Sequence, residues 1–308
     1  MGREKRLFTS DFVPEWCALG VLALLDAAWA AHIHLDFIAA PRDFLILGLA
    51  LSITFALRAF AVRRGGLMAE YFALTLAAST AICALSYLCL ASAGPLVDAR
   101  LMAMDRALGF DWLAGYQFVH AHPALAALLG IAYGSLVYQG LYFGLLLGLM
   151  DAKQQLRDMF WLFLLTGLLA CAGAVLFPAL GPSKFYNIQT DNGFVPVMQH
   201  LLSGRDLHFA LSGMTGVVSF PSFHTAMALA YCWAFRKTGI ISAAITSLNI
   251  IMLCAVPFFG GHYLVDMVAG AATMLLALAL LKTAPLFGRK PIAASASPES
   301  AAASGGAY

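Results

Sequence analysis

The sequence predicts an all-α, polytopic integral membrane protein, a helical bundle with about eight transmembrane helices. Of its 308 residues, 61% are hydrophobic and only 11% are charged, whereas soluble domains carry about 25% charged residues. Several stretches run for about 18 residues or more with almost no charge, which is the length that a helix needs to cross a bilayer. The net charge of +2 indicates no nucleic-acid partner, because it provides no strongly basic surface.

Eight apolar stretches are candidate spans: 16–34, 43–61, 69–92, 123–150, 159–180, 217–235, 239–258 and 262–281. The segment 96–121 mixes charges with Leu, Met, Phe and Trp, which predicts an amphipathic helix at the interface. The connection 181–216 is rich in Gly, Ser, Pro and Asn and is long enough to be functional. We therefore expect three regions: N-terminal helices with the interfacial segment (1–122), a transmembrane core (123–282) and a disordered cytoplasmic tail (283–308).

The distribution of Lys and Arg predicts the orientation in the membrane. If the N-terminus is cytoplasmic and eight spans are threaded, 13 of the 18 Lys and Arg residues lie on the cytoplasmic side and 5 on the other. This asymmetry follows the positive-inside rule. We expect both termini in the cytoplasm, and we expect the loops 93–122 and 181–216 and the turn before His262 on the extracytoplasmic face.

Two stretches carry polar residues that an apolar span does not need. SFPSFHTAMA, residues 219–228, places His224 near the start of the sixth span, and FFGGHYLVDMVAG, residues 258–270, places His262 at the start of the eighth. Because the intervening span crosses and the next returns, both histidines reach the same membrane face. Asp266 follows His262 by one helical turn, where the side chains can meet. A carboxylate inside an apolar span is a functional hypothesis by default.

These residues suit phosphoryl transfer. Both histidines lie at predicted helix N-termini, where free N–H groups and the helix dipole favour phosphate. Ser222 adds a hydroxyl group, and Gly261 allows close approach of the backbone to a ligand. A carboxylate that holds one imidazole nitrogen makes the other a better nucleophile. The pattern predicts His262 as nucleophile, Asp266 as its orienting group and His224 as acid and base.

PSFH (221–224) and HYLVD (262–266) resemble the Pro-Ser-x-His and His-x-x-x-Asp motifs of the membrane type 2 phosphatidic acid phosphatase superfamily. The longer stretches SFPSFHTA and GGHYLVDMVAG look most similar to the inositol phosphorylceramide synthase branch. The resemblance implies a six-helix catalytic core over about 123–281, the same roles for His262, Asp266 and His224, and phosphate binding by Ser222. It also implies a phosphohistidine intermediate.

The sequence departs from the phosphatases of this superfamily in its cationic residues. Val256 stands where they have an arginine, and their Lys-x6-Arg-Pro motif has no counterpart here. Lys184, in GPSKFY (181–186), is the candidate replacement. These departures favour a synthase, which transfers the group to an alcohol rather than to water. We expect a phospholipid or lipid phosphate as donor, since the nucleophile lies at headgroup depth.

Three alternatives stay open at this stage. Water as the acceptor would make the protein a lipid phosphate phosphatase. The two histidines and Asp266 could instead hold iron or another metal, although a phosphohistidine mechanism needs neither metal nor cofactor, and we expect none. A transporter could also use intramembrane polar residues, but no inverted repeat is visible in the sequence. The six cysteines lie in apolar runs, and we expect neither disulfides nor a zinc site from them.

Overall fold

A computed structural model describes residues 10–188 and 194–283. It is 77% helical with almost no sheet, which confirms the all-α prediction. The predicted tail lies outside the described residues, apart from Thr283. The helices are α1 (Val13–Ile33), α2 (Leu45–Ala59), α3 (Arg63–Ala91), α4 (Asp98–Ala107), α5 (Trp112–Ala121), α6 (Pro123–Leu149), α7 (Lys153–Leu176), α8 (Pro182–Phe185), α9 (Phe194–Ser203), α10 (Phe223–Phe235), α11 (Ile240–Phe259) and α12 (Leu264–Thr283).

Six of the helices in the described part of the chain are long and apolar enough to cross a membrane, namely α1, α3, α6, α7, α11 and α12. The other two predicted spans are helical but shorter, with 15 residues in α2 and 13 in α10. The apolar pattern predicts that α10 begins near residue 217. It begins at Phe223 because Ser222 caps its N-terminus, and residues 216–221 before that cap are not helical.

The bundle has one continuous apolar core, to which α1, α3, α6, α7, α10, α11 and α12 all contribute. Helices α3 and α7 lie deepest, since more than half of each apolar stretch is buried inside the protein. A polar contact crosses the core where Asn249 Nδ2 of α11 donates to Gln139 Oε1 of α6 at 2.9 Å. Buried side-chain hydrogen bonds of this kind join helices in lipid, where apolar burial alone gives no preference for helix contact.

Ion pairs tie the helices together at the end of the bundle where α1, α3 and α7 begin. Asp11 pairs with Arg58 at 2.7 Å and with Lys153 at 2.6 Å. The fully buried Glu15 carboxylate accepts from Arg157 Nε at 2.7 Å. The candidate catalytic residues lie at the other end, formed by the C-termini of α3 and α7 and the N-termini of α10 and α12, which we call the site end.

Two segments at the site end differ from their predictions in detail. The predicted helix 96–121 is two helices, α4 and α5, because Gly109 adopts a left-handed φ of 75° between them and Asp111 starts a new helix by accepting from Ala114 N–H. The connection 181–216 contains α8, α9 and a short strand. That strand, β2 (His208–Ala210), pairs in parallel with β1 (Asp36–Ile38), which follows α1.

Candidate active site

Helix α10 begins at a buried cap. The Ser222 hydroxyl accepts from Thr225 N–H at 3.3 Å, as Ser at an N-cap commonly does. The Ser222 N–H donates to the backbone carbonyl of Asp266 at 3.0 Å. Gly270 lies against the Ser222 carbonyl so closely that a Cβ atom would collide with it. These contacts fix the start of α10, and with it His224, against the first turns of α12.

His262 and Asp266 form a buried pair at the start of α12. His262 Nδ1 lies 3.4 Å from Asp266 Oδ2, and the two side chains are 4% and 0% exposed. The same Oδ2 accepts from Tyr263 N–H at 2.9 Å. His262 Nδ1 and Asp266 Oδ1 have no hydrogen-bond partner. Catalytic hydrogen bonds are often long without substrate, and a shift of the imidazole by about half an ångström would bring Nδ1 within hydrogen-bonding distance of Asp266.

His224 faces His262 from α10. The ring centroids are 6.4 Å apart, at an interplanar angle of 57°. Tyr133 of α6 stacks on the His224 ring with centroids 4.2 Å apart, which restricts the orientation of the imidazole. His224 is half-buried, whereas His262 is buried. The helix ends therefore present two imidazoles to one space, one of them beside a carboxylate.

The loop before α8 forms the side of the site next to His262. Gly181 and Gly261 both have left-handed backbone angles, with φ of 91° and 63°, which non-glycine residues rarely adopt. A Cβ atom on Gly181 would collide with the Gly261 carbonyl oxygen. The two chain segments therefore meet through glycine backbone. Ser183 Oγ lies 3.6 Å from the position that a Cβ atom of Gly261 would occupy, and Ser219 Oγ lies equally far from that of Gly181.

Helix α4 holds both segments through two carboxylates. Asp98 accepts from the N–H groups of Leu180 at 3.1 Å and Gly181 at 2.9 Å, and from Tyr263 Oη at 3.0 Å. Asp105 lies two helical turns further along the same helix face and is fully buried.

The carboxylate of Asp105 accepts from the N–H groups of Leu264 at 2.8 Å and Val265 at 3.0 Å. It therefore binds the free donors at the start of α12. Burial raises the pKa of the Asp105 carboxyl above its ordinary value, and these two backbone N–H groups oppose that rise.

The structure brings five of the six predicted site residues together. His224, His262, Asp266, Ser222 and Gly261 share the site end, and their contacts connect α10 with α12. Lys184 differs, because its side chain is exposed on α8 and forms no ion pair within the described residues.

Four further residues belong to the site without a local sequence signal, namely Ser183, Ser219, Asp98 and Asp105. Ser183 lies inside the quoted GPSKFY and Ser219 begins the quoted SFPSFH, but the sequence does not show that their hydroxyl groups are buried. The partners of Asp98 and Asp105 lie 82 to 165 positions away along the chain, so no local pattern reveals them.

The donor set gives the metal alternative no support. Within residues 10–188 and 194–283, no group of three or more His, Cys, Asp or Glu side chains is placed to hold a metal ion.

Fold and site together define a multi-pass helical membrane protein with a histidine pair and a carboxylate between two helix N-termini. The family model of the PAP2 superfamily matches residues 99–280, more than half of the chain. The chain belongs to the PAP2 superfamily, whose members are phosphatases and phosphotransferases acting on phosphate esters. No curated protein and no solved structure matches it. The matched region begins in α4 and so includes Asp105 as well as both histidine motifs.

Proposed function

We propose that this protein is a membrane lipid phosphotransferase of the inositol phosphorylceramide synthase type. It moves a phosphoryl headgroup from a phospholipid donor to an alcohol acceptor through a phosphohistidine at His262. The observation that carries this proposal is the arrangement of His224 and His262 across 6.4 Å, with Asp266 3.4 Å from His262 Nδ1.

That spacing fits one phosphoryl group between the rings. Reacting atoms approach to about 3–3.5 Å before attack, and a proton donor lies about 2.6–3.2 Å from its acceptor. A phosphorus atom near His262 can therefore have its leaving oxygen within reach of His224. Because Nδ1 of His262 faces Asp266, Nε2 is the nitrogen free to attack.

In the first step, His262 Nε2 forms a bond to phosphorus as the bond from phosphorus to the diacylglycerol oxygen breaks. The leaving oxygen takes a proton from the His224 imidazolium, and diacylglycerol departs. Asp266 stabilises the positive charge that develops on His262 by accepting a hydrogen bond from its Nδ1–H group, which keeps its proton. The headgroup phosphoryl is then attached to His262.

In the second step, neutral His224 takes a proton from the acceptor hydroxyl, whose oxygen attacks phosphorus. The bond between phosphorus and His262 breaks, and the headgroup phosphate passes to the acceptor. Water in the same position would give hydrolysis. Val256, fully buried in α11, stands where the phosphatases have an arginine, and this departure favours the alcohol.

The site is proposed to face away from the cytoplasm. The Arg58, Lys153 and Arg157 side chains cluster at the end of the bundle opposite the histidines, in agreement with the positive-inside rule. Reporter fusions should place the N-terminus, residues 151–158 and the C-terminus in the cytoplasm. A cytoplasmic position for residues 181–216 would refute this orientation.

The mechanism is tested by trapping the intermediate. Purified protein is mixed with phospholipid that carries ³²P in its headgroup, quenched with alkali and checked for label on the protein, since phosphohistidine survives alkali and is lost in acid. Wild type should label, and His262→Ala should neither label nor release diacylglycerol. His122→Ala is the matched control, because His122 is exposed and, among the described residues, its ring contacts Phe118 of the adjoining helix.

The acceptor is identified by adding candidate alcohols to the same reaction. Label that moves to an alcohol at the expense of inorganic phosphate supports the transferase. Inorganic phosphate that no alcohol diminishes makes the protein a phosphatase. Lipid movement across proteoliposomes without any cleavage would indicate the transporter alternative. Full activity of His262→Ala would end the proposed mechanism.

A further inference from the structure

The site contains two serine hydroxyls that are buried and have no partner. Ser183 is 1% exposed and Ser219 is 6% exposed, and neither Oγ atom forms a hydrogen bond. Burying a hydroxyl without a partner is destabilising, so such groups need an explanation. Of the eight unpartnered buried side-chain atoms in the described structure, four belong to Ser183, Ser219, His262 and Asp266.

The two hydroxyls flank the contact between Gly181 and Gly261. Each Oγ lies 3.6 Å from the position of an absent Cβ atom, Ser183 beside Gly261 and Ser219 beside Gly181. Ser183 therefore lies against the residue that directly precedes His262, and Ser219 lies against Gly181, whose backbone meets the Gly261 carbonyl. Each can donate one hydrogen bond, which is what the non-bridging oxygens of a phosphoryl group accept.

The charges around the site set a limit on the ligand. Asp98, Asp105 and Asp266 hold the segments that form the site. No Lys or Arg of the described residues pairs with His262 or Asp266, and the nearby Lys184 and Arg106 side chains are exposed. Protonated His224, in its role as acid, supplies one positive charge. A phosphate monoester carries about −1.5 to −2 at pH 7, whereas a diester carries a single negative charge.

We propose, on the basis of the proposed function, that Ser183 and Ser219 bind the non-bridging phosphoryl oxygens and that this pair of neutral donors makes the site select a phosphodiester lipid over a phosphomonoester. Neutral donors can stabilise a singly charged group without a buried cation, whereas a second negative charge would be desolvated beside carboxylates. In this proposal the serine hydroxyls supply phosphoryl contacts in a site that lacks the arginines of the phosphatases.

The test uses two donors that differ by one methyl group. Phosphatidic acid is the monoester, and phosphatidylmethanol with the same acyl chains is the diester. Phosphatidylglycerol and phosphatidylinositol extend the diester set. Release of diacylglycerol is measured with the full chain in mixed micelles at pH 7, a readout common to hydrolysis and transfer. We expect wild type to have at least about tenfold higher kcat/KM on a diester than on the monoester.

The variants Ser183→Ala and Ser219→Ala should each lower kcat/KM on the diester by about tenfold, the effect of losing one hydrogen bond of about 1.4 kcal/mol. The control is Thr166→Val, which also removes a buried hydroxyl, but one that bonds to its own helix in the middle of α7. The kcat/KM of Thr166→Val on the diester should stay within about twofold of the wild-type value. Thermal melting of each variant separates loss of folding from loss of binding. The ratio of kcat/KM on the diester to kcat/KM on the monoester is measured on wild type alone, so it does not depend on whether a variant folds.

Equal or faster cleavage of phosphatidic acid would overturn the diester assignment. Serine variants with unchanged kcat/KM would overturn the role of the hydroxyl pair. Both results leave the proposed function intact as long as wild type cleaves a phosphodiester donor and His262→Ala does not. Failure of wild type to cleave any phosphodiester donor, or cleavage by His262→Ala, would instead contradict the proposed function and remove the basis of this inference.

Discussion

Replacing Asp105 with alanine tests whether α4 positions the start of α12. The carboxylate accepts from Leu264 N–H at 2.8 Å and Val265 N–H at 3.0 Å. Each buried N–H left without a partner costs about 1–3 kcal/mol. With two such groups, Asp105→Ala should therefore lower the free energy of unfolding by about 2–6 kcal/mol.

The effect on activity should exceed the effect of stability alone. Leu264 is two residues from His262, and misplacement of a reacting group by about 1 Å can cost about a hundredfold in rate. We expect kcat for diacylglycerol release to fall by about 30- to 100-fold while KM changes little. Asp105→Asn retains one carbonyl oxygen as acceptor, so it should lose less.

The assay pairs this kcat measurement with denaturant unfolding in detergent micelles. Asp111→Ala is the control, because Asp111 also accepts from a helical N–H, that of Ala114 at 3.0 Å, but at the exposed start of α5. It should cost about 0.5–2 kcal/mol and leave kcat within about twofold. If Asp105→Ala keeps wild-type kcat, or if Asp111→Ala loses as much, the positioning role is wrong.

Three further outcomes are expected from other contacts. Gly181→Ala should lower the free energy of unfolding by about 2 kcal/mol or more and reduce activity, because a Cβ atom meets the Gly261 carbonyl at a left-handed φ; Gly216→Ala, with open space around it, should change neither in the same assays. Glu15→Ala should cost about 3–5 kcal/mol by leaving Arg157 unpaired without changing kcat, whereas Arg63→Ala, which breaks an exposed pair, should cost less than about 1 kcal/mol. Because the pKa of Asp105 is raised, the folded protein binds more protons than the unfolded chain between a pH of about 3.9 and the raised pKa. The contribution of Asp105 to stability should therefore rise as the pH falls through that window. When the free energy of unfolding is measured against pH, Asp105→Asn should lack this rise.

Local sequence patterns predicted the helical class and the meeting of the two histidine motifs. Apolar length indicated the spans, and the crossing and return of the chain placed His224 and His262 on one face. The same patterns overestimated the length of α10. An apolar run does not show that Ser222 caps the helix, so that it begins only at Phe223. Mean hydropathy measures solvent preference, and the hydrogen bonds that begin a helix are a separate matter.

The residues that hold the site in place could not be predicted, because their hydrogen-bond partners are far away in the sequence. Asp98 and Asp105 look like ordinary polar positions of an amphipathic interfacial segment, and their partners become neighbours only after α7, α11 and α12 have packed. The unpaired hydroxyls of Ser183 and Ser219 are likewise visible only in three dimensions, since a serine in a glycine- and proline-rich connection is usually exposed.

The position of α4 has a consequence for how the chain could be divided. Asp98 and Asp105 precede α6 in the sequence, yet every backbone group that they accept from follows it. A fragment beginning at Pro123 would retain both histidines and Asp266 but would carry no acceptor for the N–H groups of Leu180, Gly181, Leu264 and Val265. Such a fragment should be inactive when produced alone, and a separately expressed fragment 1–122 should restore it in the same membrane. The two halves would then behave as complementary parts of one enzyme.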